Sequence, residues 1–481
     1  MKQIAIIGGG ISGLSAALTL QRAREQGAEV EYALFDSSPR LGGVLSTECV
    51  EGCLVEAGPD SFLTEKHWGL DFCRSLGLED DLIASNDAER KTYILKRKQL
   101  VPIPDGLMFM VPTKLLPTAL TPLFSWGTKV RMAREFLFPP SPNGTRDESV
   151  AQLVERHFGP EVVDCLAEPL LAGVYGGRAN ELSVRSVLPR FSEMEARYRS
   201  LSRGMLEARK RMAEMARTTG HKPKPLFTSL RHGMQQLVTA VQSRLDNAAV
   251  RGAMQVRGLQ RSDAGWTLRL NEHQEKFDDV IVATPAWRAA EMLRETDSTL
   301  ADDLATIPYS SSVTVTLGYR QQDLELLPPG FGFLVPRSEG RRMLACTFVH
   351  NKFPHRAPLD KGILRCFLGG AGDEQVLMLS NAEILDAVRG ELLSILRLSA
   401  EPLFGRVYRW HRAMAQPGVG HADRVQRIES RAAEFGTLQL AGNAYHGIGV
   451  PDCIRSGEKA AAAALSALGI NASPVPQPTH R

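Results

Sequence analysis

The sequence predicts an α/β fold in which a nucleotide-binding parallel sheet is assembled from separated pieces of chain. Three observations predict it: a glycine-rich turn from an apolar strand into a helix at the N-terminus, strand-like runs that return after about residue 225, and a second strand–glycine–helix unit near the C-terminus. At 481 residues the chain is too long for one simple core, so two or three interlocked domains are expected.

Residues 3–7 (Gln-Ile-Ala-Ile-Ile) read as a short apolar strand, and Gly8-Gly9-Gly10-Ile11-Ser12-Gly13 as the turn into a helix with Leu14, Ala17, Leu18 and Leu20 on its apolar side. Gly27 ends that helix and Val30 to Phe35 forms a second strand, a unit whose short connections favour parallel strands. Residues 90–215 change character: prolines, aromatics and helical segments dominate, and Ser141-Pro142-Asn143-Gly144 marks a loop. Arg197 to Arg217 reads as one helix with a solvated charged face. Strand patterns return at Met254 to Gln260, Trp266 to Leu270, Val280 to Pro285 and Ser312 to Leu317. Leu438 to Ala441 forms a further strand, followed by glycines and an Ala-rich helix; after Gly469 the Pro-rich tail has the composition of a disordered segment.

Composition excludes several classes of function. With 43% hydrophobic and 23% charged residues the chain is an ordinary globular one, and a net charge of +3 gives no basic stripe for nucleic acid. Seven scattered cysteines without a C-x-x-C pair argue against a zinc site or disulfide framework and for a reducing cytoplasm. Cys49 and Cys53 lie in a strand-like stretch and read as core thiols. Met1-Lys2-Gln3 runs directly into the first strand, so no signal peptide is expected. Gly106 to Trp126 is apolar with only Lys114 charged, but Pro112, Pro117 and Pro122 interrupt it too often for a spanning helix. It reads as helices covering a core, with a greasy surface touching a bilayer as the alternative.

The motifs carry the chemistry. Gly8, Gly10 and Gly13 have G-x-G-x-x-G spacing: the first permits a tight turn, the second lets the backbone approach a pyrophosphate, and the third lets helix and strand pack closely. The helix N-terminus beyond Gly9, Ile11 and Ser12 offers unpaired N–H groups to phosphates. Asp36 closes the second strand, where a carboxylate accepts from a ribose hydroxyl.

Ser37-Ser38-Pro39-Arg40-Leu41-Gly42-Gly43 resembles the extended second motif of the amine-oxidase-like flavoprotein superfamily, in which an Arg and paired glycines approach the phosphates of FAD. Ala57-Gly58-Pro59-Asp60-Ser61-Phe62 resembles the loop near the isoalloxazine in that group. Ala441-Gly442-Asn443-Ala444-Tyr445-His446-Gly447-Ile448-Gly449-Val450-Pro451 resembles its C-terminal flavin motif. Within the superfamily, residues 3–465 resemble the flavin-type protoporphyrinogen oxidase and coproporphyrinogen III oxidase family. The resemblance runs through Val55 to Phe62, Glu168 to Gly177, Leu182 to Arg185, Gly330 to Pro336 and Gly447 to Ile454.

That resemblance implies roles residue by residue. Leu334 and Phe367 match positions that sandwich pyrrole rings, and Gly173 the glycine whose backbone orients the macrocycle. Val256, read as part of a strand, matches the backbone contact to adenine, and Trp410 a position near the flavin. Thr92 stands where some members place an Arg to pair a propionate, with Arg90 and Lys91 just before it, and Thr347 where some plant enzymes have a Leu. Tyr445 and His446 invite a general-base role, but pyrrole N–H protons leave to solvent once hydride has gone, so no catalytic base is assigned and no metal site is expected.

The expected fold is thus α/β with α+β insertions. A discontinuous Rossmann-like FAD-binding domain (residues 1–85, 226–300 and 409–468) is joined by a mixed-sheet substrate domain (301–408), a substrate and helical, membrane-facing insertion (86–225) and a disordered tail (469–481). The resemblance implies six-electron oxidation of protoporphyrinogen IX to protoporphyrin IX, hydride passing from a meso carbon to flavin N5 and three O2 becoming three H2O2. Coproporphyrinogen III is the alternative substrate, and another oxidase or desaturase of the superfamily or a non-catalytic binding module the alternative functions. No nucleic-acid partner is expected; a peripheral contact on the inner face of a membrane and a homodimer are left open.

Overall fold

The computed structural model describes residues 1–144, 146–219, 224–263, 265–271 and 273–470, so the tail from residue 471 lies outside the described residues. Five parallel strands form the first sheet, in the spatial order Val250–Arg251, Val30–Phe35, Lys2–Ile7, Asp279–Val282 and Leu438–Leu440. Its strands are apolar on both sides because both faces are covered. Ile4 and Ile6 pack against the helices Ile11–Glu25 and Val450–Ala467, while Ala5 and Ile7 point to a second core containing Trp266, Leu293 and Ile428. Residues contributed from both ends of the chain thus share one sheet, as the sequence predicts.

A mixed sheet of seven strands forms the second layer, in the order Phe404–Ala415, Tyr309–Arg320, Lys361–Gly369, Met343–Phe348, Gly332–Leu334, Thr92–Lys96 and Gln99–Pro102. All pairs are antiparallel except Gly332–Leu334 with Thr92–Lys96. One face, with Val315, Phe333, Cys346 and Cys366, is buried under the helix Asn381–Leu396. The opposite face looks toward the first sheet and a helical unit that includes Trp126–Leu137, Val150–Phe158, Glu168–Tyr175, Pro189–Tyr198 and Leu201–Thr219. Among the described residues no helix is long and apolar enough to cross a membrane.

Four local expectations are corrected. The strand expected from Met254 begins only at Gly258, because Ala253 N and Met254 N bond instead to the carbonyls of Ser38 and Asp36 at 3.1 and 2.8 Å. Val256 is therefore buried just ahead of the strand rather than in it. The Val280 strand stops at Val282 rather than running to Pro285. Arg197 to Arg217 is two helices, broken where Arg199 adopts a left-handed φ of 61°, with the Glu135 carboxylate accepting from Leu201 N at 2.7 Å at the start of the second. Finally, Cys49 and Cys53 lie on opposite strands of a hairpin in which Val50 faces Cys53; Cys53 is buried but Cys49 points to solvent.

Candidate flavin and substrate site

The glycine turn sits at the C-terminal edge of the parallel sheet, where open α/β sheets bind ligands. Gly8 has φ +111°, and a Cβ there would stand 2.7 Å from Ala283 O; a Cβ on Gly13 would stand 1.8 Å from Gly8 O. These two glycines are required by packing. Gly10 is different: its Cβ would meet nothing within 4 Å, so the helix N-terminus opens onto free space. Gly43 closes the other side of that cleft, a Cβ on it standing 3.4 Å from the Gly10 Cα, and Gly42 N donates to Gly9 O at 2.7 Å. Ile11 and Ser12 are buried in the first helical turn.

Asp36 ends the second strand with one carboxylate oxygen accepting from Gly9 N at 2.6 Å and the other from Ser38 N at 2.7 Å, with Ser37 exposed beside it. Both oxygens thus accept one backbone N–H each and keep lone pairs to spare at the mouth of the cleft. Arg40 does not extend freely into it. Its guanidinium donates to the carbonyls of Leu41 and Leu45 at 3.0 and 2.9 Å and of Gly43 at 2.5 Å, bracing the loop that carries the paired glycines.

Beyond the cleft the strap Ala57-Gly58-Pro59-Asp60 runs between the two sheets. A Cβ on Gly58 would stand 2.0 Å from Val44 O, and Trp410 Nε1 donates to Ala57 O at 2.9 Å. The loop Gly442–Gly449 then leads into the Val450–Ala467 helix, whose N-terminus is the second one at this edge. Gly457 lets it press on the first helix: a Cβ there would stand 2.0 Å from Ser12 O. Gly447 and Gly449 lie against the Asp452 carboxylate, which pairs with Lys66, while Ile448 is half-buried and Val450 buried. Neither Lys66 nor Gly457 was singled out by sequence reasoning, since only proximity in space reveals them. A dinucleotide fits these residues: an open cradle over Gly10, two helix N-termini and an acid at the end of the second strand.

The substrate candidates come together on one face of the second sheet. Register places Thr92, Gly332, Thr347 and Arg365 in one cross-strand row. The next row on the same face holds Ile94, Leu334, Ala345, Phe367 and Thr314. Thr92, Leu334, Thr347 and Phe367 are each half-buried, and an added Cβ at Gly173 would meet the Leu334 side chain at 3.6 Å. A flat apolar body laid on this face would touch all of them. Arg90 and Lys91 are exposed at the entry to the Thr92 strand. His446 is exposed and paired with Glu429 at 2.5 Å, while Tyr445 is buried in the core, so neither faces this surface as a base.

Burial alone would raise the Asp60 carboxyl, but Lys352 at 3.1 Å and Arg365 beside it hold it well below the usual carboxylate range. Behind it Glu56 pairs with Arg356 at 2.9 Å. Of this cluster the motif reading marked only the Glu56–Asp60 side; Lys352, Arg356 and Arg365 lie some 300 residues later and carry no local signal.

Comparison with known proteins places the fold in a family. The family model for flavin containing amine oxidoreductases matches residues 11–465. A coproporphyrinogen III oxidase of Bacillus subtilis is 35% identical over 97% of this chain and 98% of its own. The chloroplastic protoporphyrinogen oxidase 1 of Arabidopsis thaliana is 29% identical over 93% of this chain and 85% of its own. A solved structure of a candidate protoporphyrinogen oxidase from Exiguobacterium sp. 255-15 superposes with a TM-score of 0.86 at 29% identity, covering 97% of this chain and 99% of that one. The chain therefore belongs to the flavin containing amine oxidoreductases and is a flavin-dependent oxidoreductase.

Proposed function

We propose that this oxidoreductase binds FAD and oxidises a porphyrinogen to the porphyrin, passing six electrons to three O2 and forming three H2O2. The observation that carries the reading is the single sheet face that gathers Thr92, Leu334, Thr347 and Phe367, with Gly173 over Leu334, beside the flavin strap. The bound flavin supplies the hydride acceptor. The chain's own residues do the rest. Gly10 and Gly43 leave the cleft open to the pyrophosphate while Gly8, Gly9, Gly13 and Gly42 let the surrounding turns pack closely, Asp36 and the Val256 stretch hold the adenosine end, and the half-buried sheet face excludes water over the macrocycle. Arg90 and Lys91, exposed at the edge of this face, capture propionates. The flavin-binding pieces are residues 1–85, 226–300 and 409–468, with 86–225 and 301–408 forming the substrate side.

Protoporphyrinogen IX and coproporphyrinogen III differ by vinyl against propionate at two positions. The second reading, coproporphyrinogen III, is favoured by the greater similarity to the Bacillus subtilis relative than to the Arabidopsis one. Porphyrin fluorescence followed under air with both substrates tests the proposal: oxidation of either above its spontaneous rate supports it, and preference names the substrate. Flavin-loaded protein that oxidises neither overturns it. Leu334→Asp should lower turnover at least tenfold while leaving bound flavin unchanged, since a carboxylate on this face would be buried against the ring at a cost of a few kcal/mol; unchanged kinetics would remove Leu334 from the site.

The apolar stretch at Gly106–Trp126 leaves Leu116, Leu120 and Trp126 exposed at 70–74%, with Lys129 over the Trp126 ring at 4.5 Å. Such a pairing of apolar and cationic side chains suits peripheral contact with an anionic bilayer from the cytoplasmic side. Flotation with phosphatidylglycerol vesicles should recover the protein, and Leu116→Glu with Leu120→Glu should abolish recovery. If the protein stays behind and light scattering shows a dimer that the double variant dissolves, the patch is a homodimer interface instead.

A further inference from the structure

Three cations and two carboxylates are buried together behind the Ala57–Ser61 strap. Their side-chain exposures run from 1% for Arg356 to 15% for Asp60. Glu56 pairs with Arg356 at 2.9 Å and accepts from Thr47 Oγ1 at 2.7 Å and Met234 N at 2.8 Å. Asp60 accepts from Lys352 through both oxygens at 3.1 Å and from Ser61 Oγ at 2.6 Å, and faces Arg365 Nη1 at 3.8 Å. Arg356 Nη2 donates to Ser229 Oγ at 2.6 Å, and that hydroxyl donates to the Asp60 carbonyl at 2.6 Å, which joins the two pairs.

Hydrogen bonding fixes the charge states. Burial pushes the Glu56 carboxyl up, yet the Arg356 guanidinium and Met234 N can only donate to it and the Thr47 hydroxyl is placed to do the same, which favours the carboxylate. Lys352 donates to both Asp60 oxygens and to Ser61 Oγ, the full complement of an ammonium. Arg356 and Arg365 remain guanidinium ions in any protein. One positive charge is therefore in excess. The charged neighbours cancel in more exposed pairs: Arg406 with Glu48, Lys361 with Glu51 and Arg231 with Asp81.

An unbalanced buried charge is costly, and packing alone would be served by a neutral cluster. The excess lies where it can act. Arg365 Nη2 donates to Gly58 O in the strap, and its guanidinium lies 5.0 Å from the Phe367 ring centre on the substrate face. Hydride transfer brings two electrons and one proton, which leaves the isoalloxazine with one more negative charge than before. We infer that the buried excess positive charge of the Arg356–Lys352–Arg365 cluster raises the reduction potential of the bound flavin by favouring that negative charge. Lys352 and Arg365 are thus tuning residues that reach the flavin through the field, while Arg365 also positions the strap. The inference rests on the flavin seat proposed above.

The test is made on flavin-loaded protein, by anaerobic titration against a redox dye and by sulfite binding to the flavin, which responds to the same field. Arg365→Met neutralises the cluster; it should lower the midpoint potential and weaken sulfite binding by roughly tenfold, the scale of a unit charge acting at an effective dielectric constant near 20. Asp60→Asn raises the excess and should shift both in the opposite direction, and Arg365→Lys should stay near the unmodified protein. Should Arg365→Met fail to fold, Lys352→Met makes the same change of charge. Shifts of one sign in Arg365→Met and Asp60→Asn, or none in either, overturn the inference. Purified unmodified protein that holds no flavin overturns the seat itself, a different failure read before any variant is made.

Discussion

Gly10→Val should give a folded protein that cannot hold its flavin. The prediction separates steric demands that the three fingerprint glycines share in sequence but not in space. Gly10 has φ −69° and ψ 177°, an extended conformation that valine adopts without strain, and its Cβ would project into open space. The protein therefore loses little by the change; only a ligand in the cleft meets the new side chain. Gly13→Val is the contrasting case, because its Cβ would lie 1.8 Å from Gly8 O and the helix could not pack where it does. Circular dichroism and thermal melting should find Gly10→Val close to the unmodified protein, while flavin absorbance after gel filtration falls to near zero. A yellow, fully loaded Gly10→Val protein would move the phosphate seat away from this turn.

That contrast also marks how far the sequence can be read. The strand, the glycine turn, the first helix and Asp36 were legible because each constraint acts over a few residues. Ile4 to Ile7 alternates between two buried faces, and Val30 to Phe35 is a strand over the range expected. The substrate face was legible only through resemblance: Leu334 and Phe367 look like any core residues until register sets them in one row. Arg199 breaks a helix with a left-handed turn that its identity does not announce, and Cys49 faces solvent because its hairpin buries alternate side chains. The cationic half of the charge cluster was invisible. Arg356 reads as a surface charge beside His355 and Ala357, yet it is 1% exposed because Glu56, some 300 residues earlier, is brought beneath it.

His157→Leu should destabilise the helical unit by about 3–5 kcal/mol, the usual cost of removing one partner from a buried charge pair. His157 ends the Val150–Phe158 helix with no side-chain exposure. Its Nδ1 meets Glu135 of the Trp126–Leu137 helix, and its Nε2 meets Glu195 of the Pro189–Tyr198 helix, each at 2.9 Å. Two carboxylates on two ring nitrogens require both to donate, so the ring is an imidazolium. Burial would lower its pKa, but the hydrogen bonds to Glu135 and Glu195 prevail and raise it above the ordinary 6.5. Burial would raise both carboxyls, and the same contacts, with Arg156 at Glu195, lower them below 4.5. The signs then follow. The histidine's contribution is complete below about pH 6.5 and is lost as pH rises through its raised folded value; the carboxylates' contribution is complete above about pH 4.5 and is lost as pH falls through their lowered ones. Hydrogen exchange across these helices should therefore show greatest protection between those limits and a decline on the alkaline side. In His157→Leu the whole level should drop and the alkaline decline disappear, because the group that titrates there is gone. A decline that persists unchanged in the variant would show that His157 is not the titrating group.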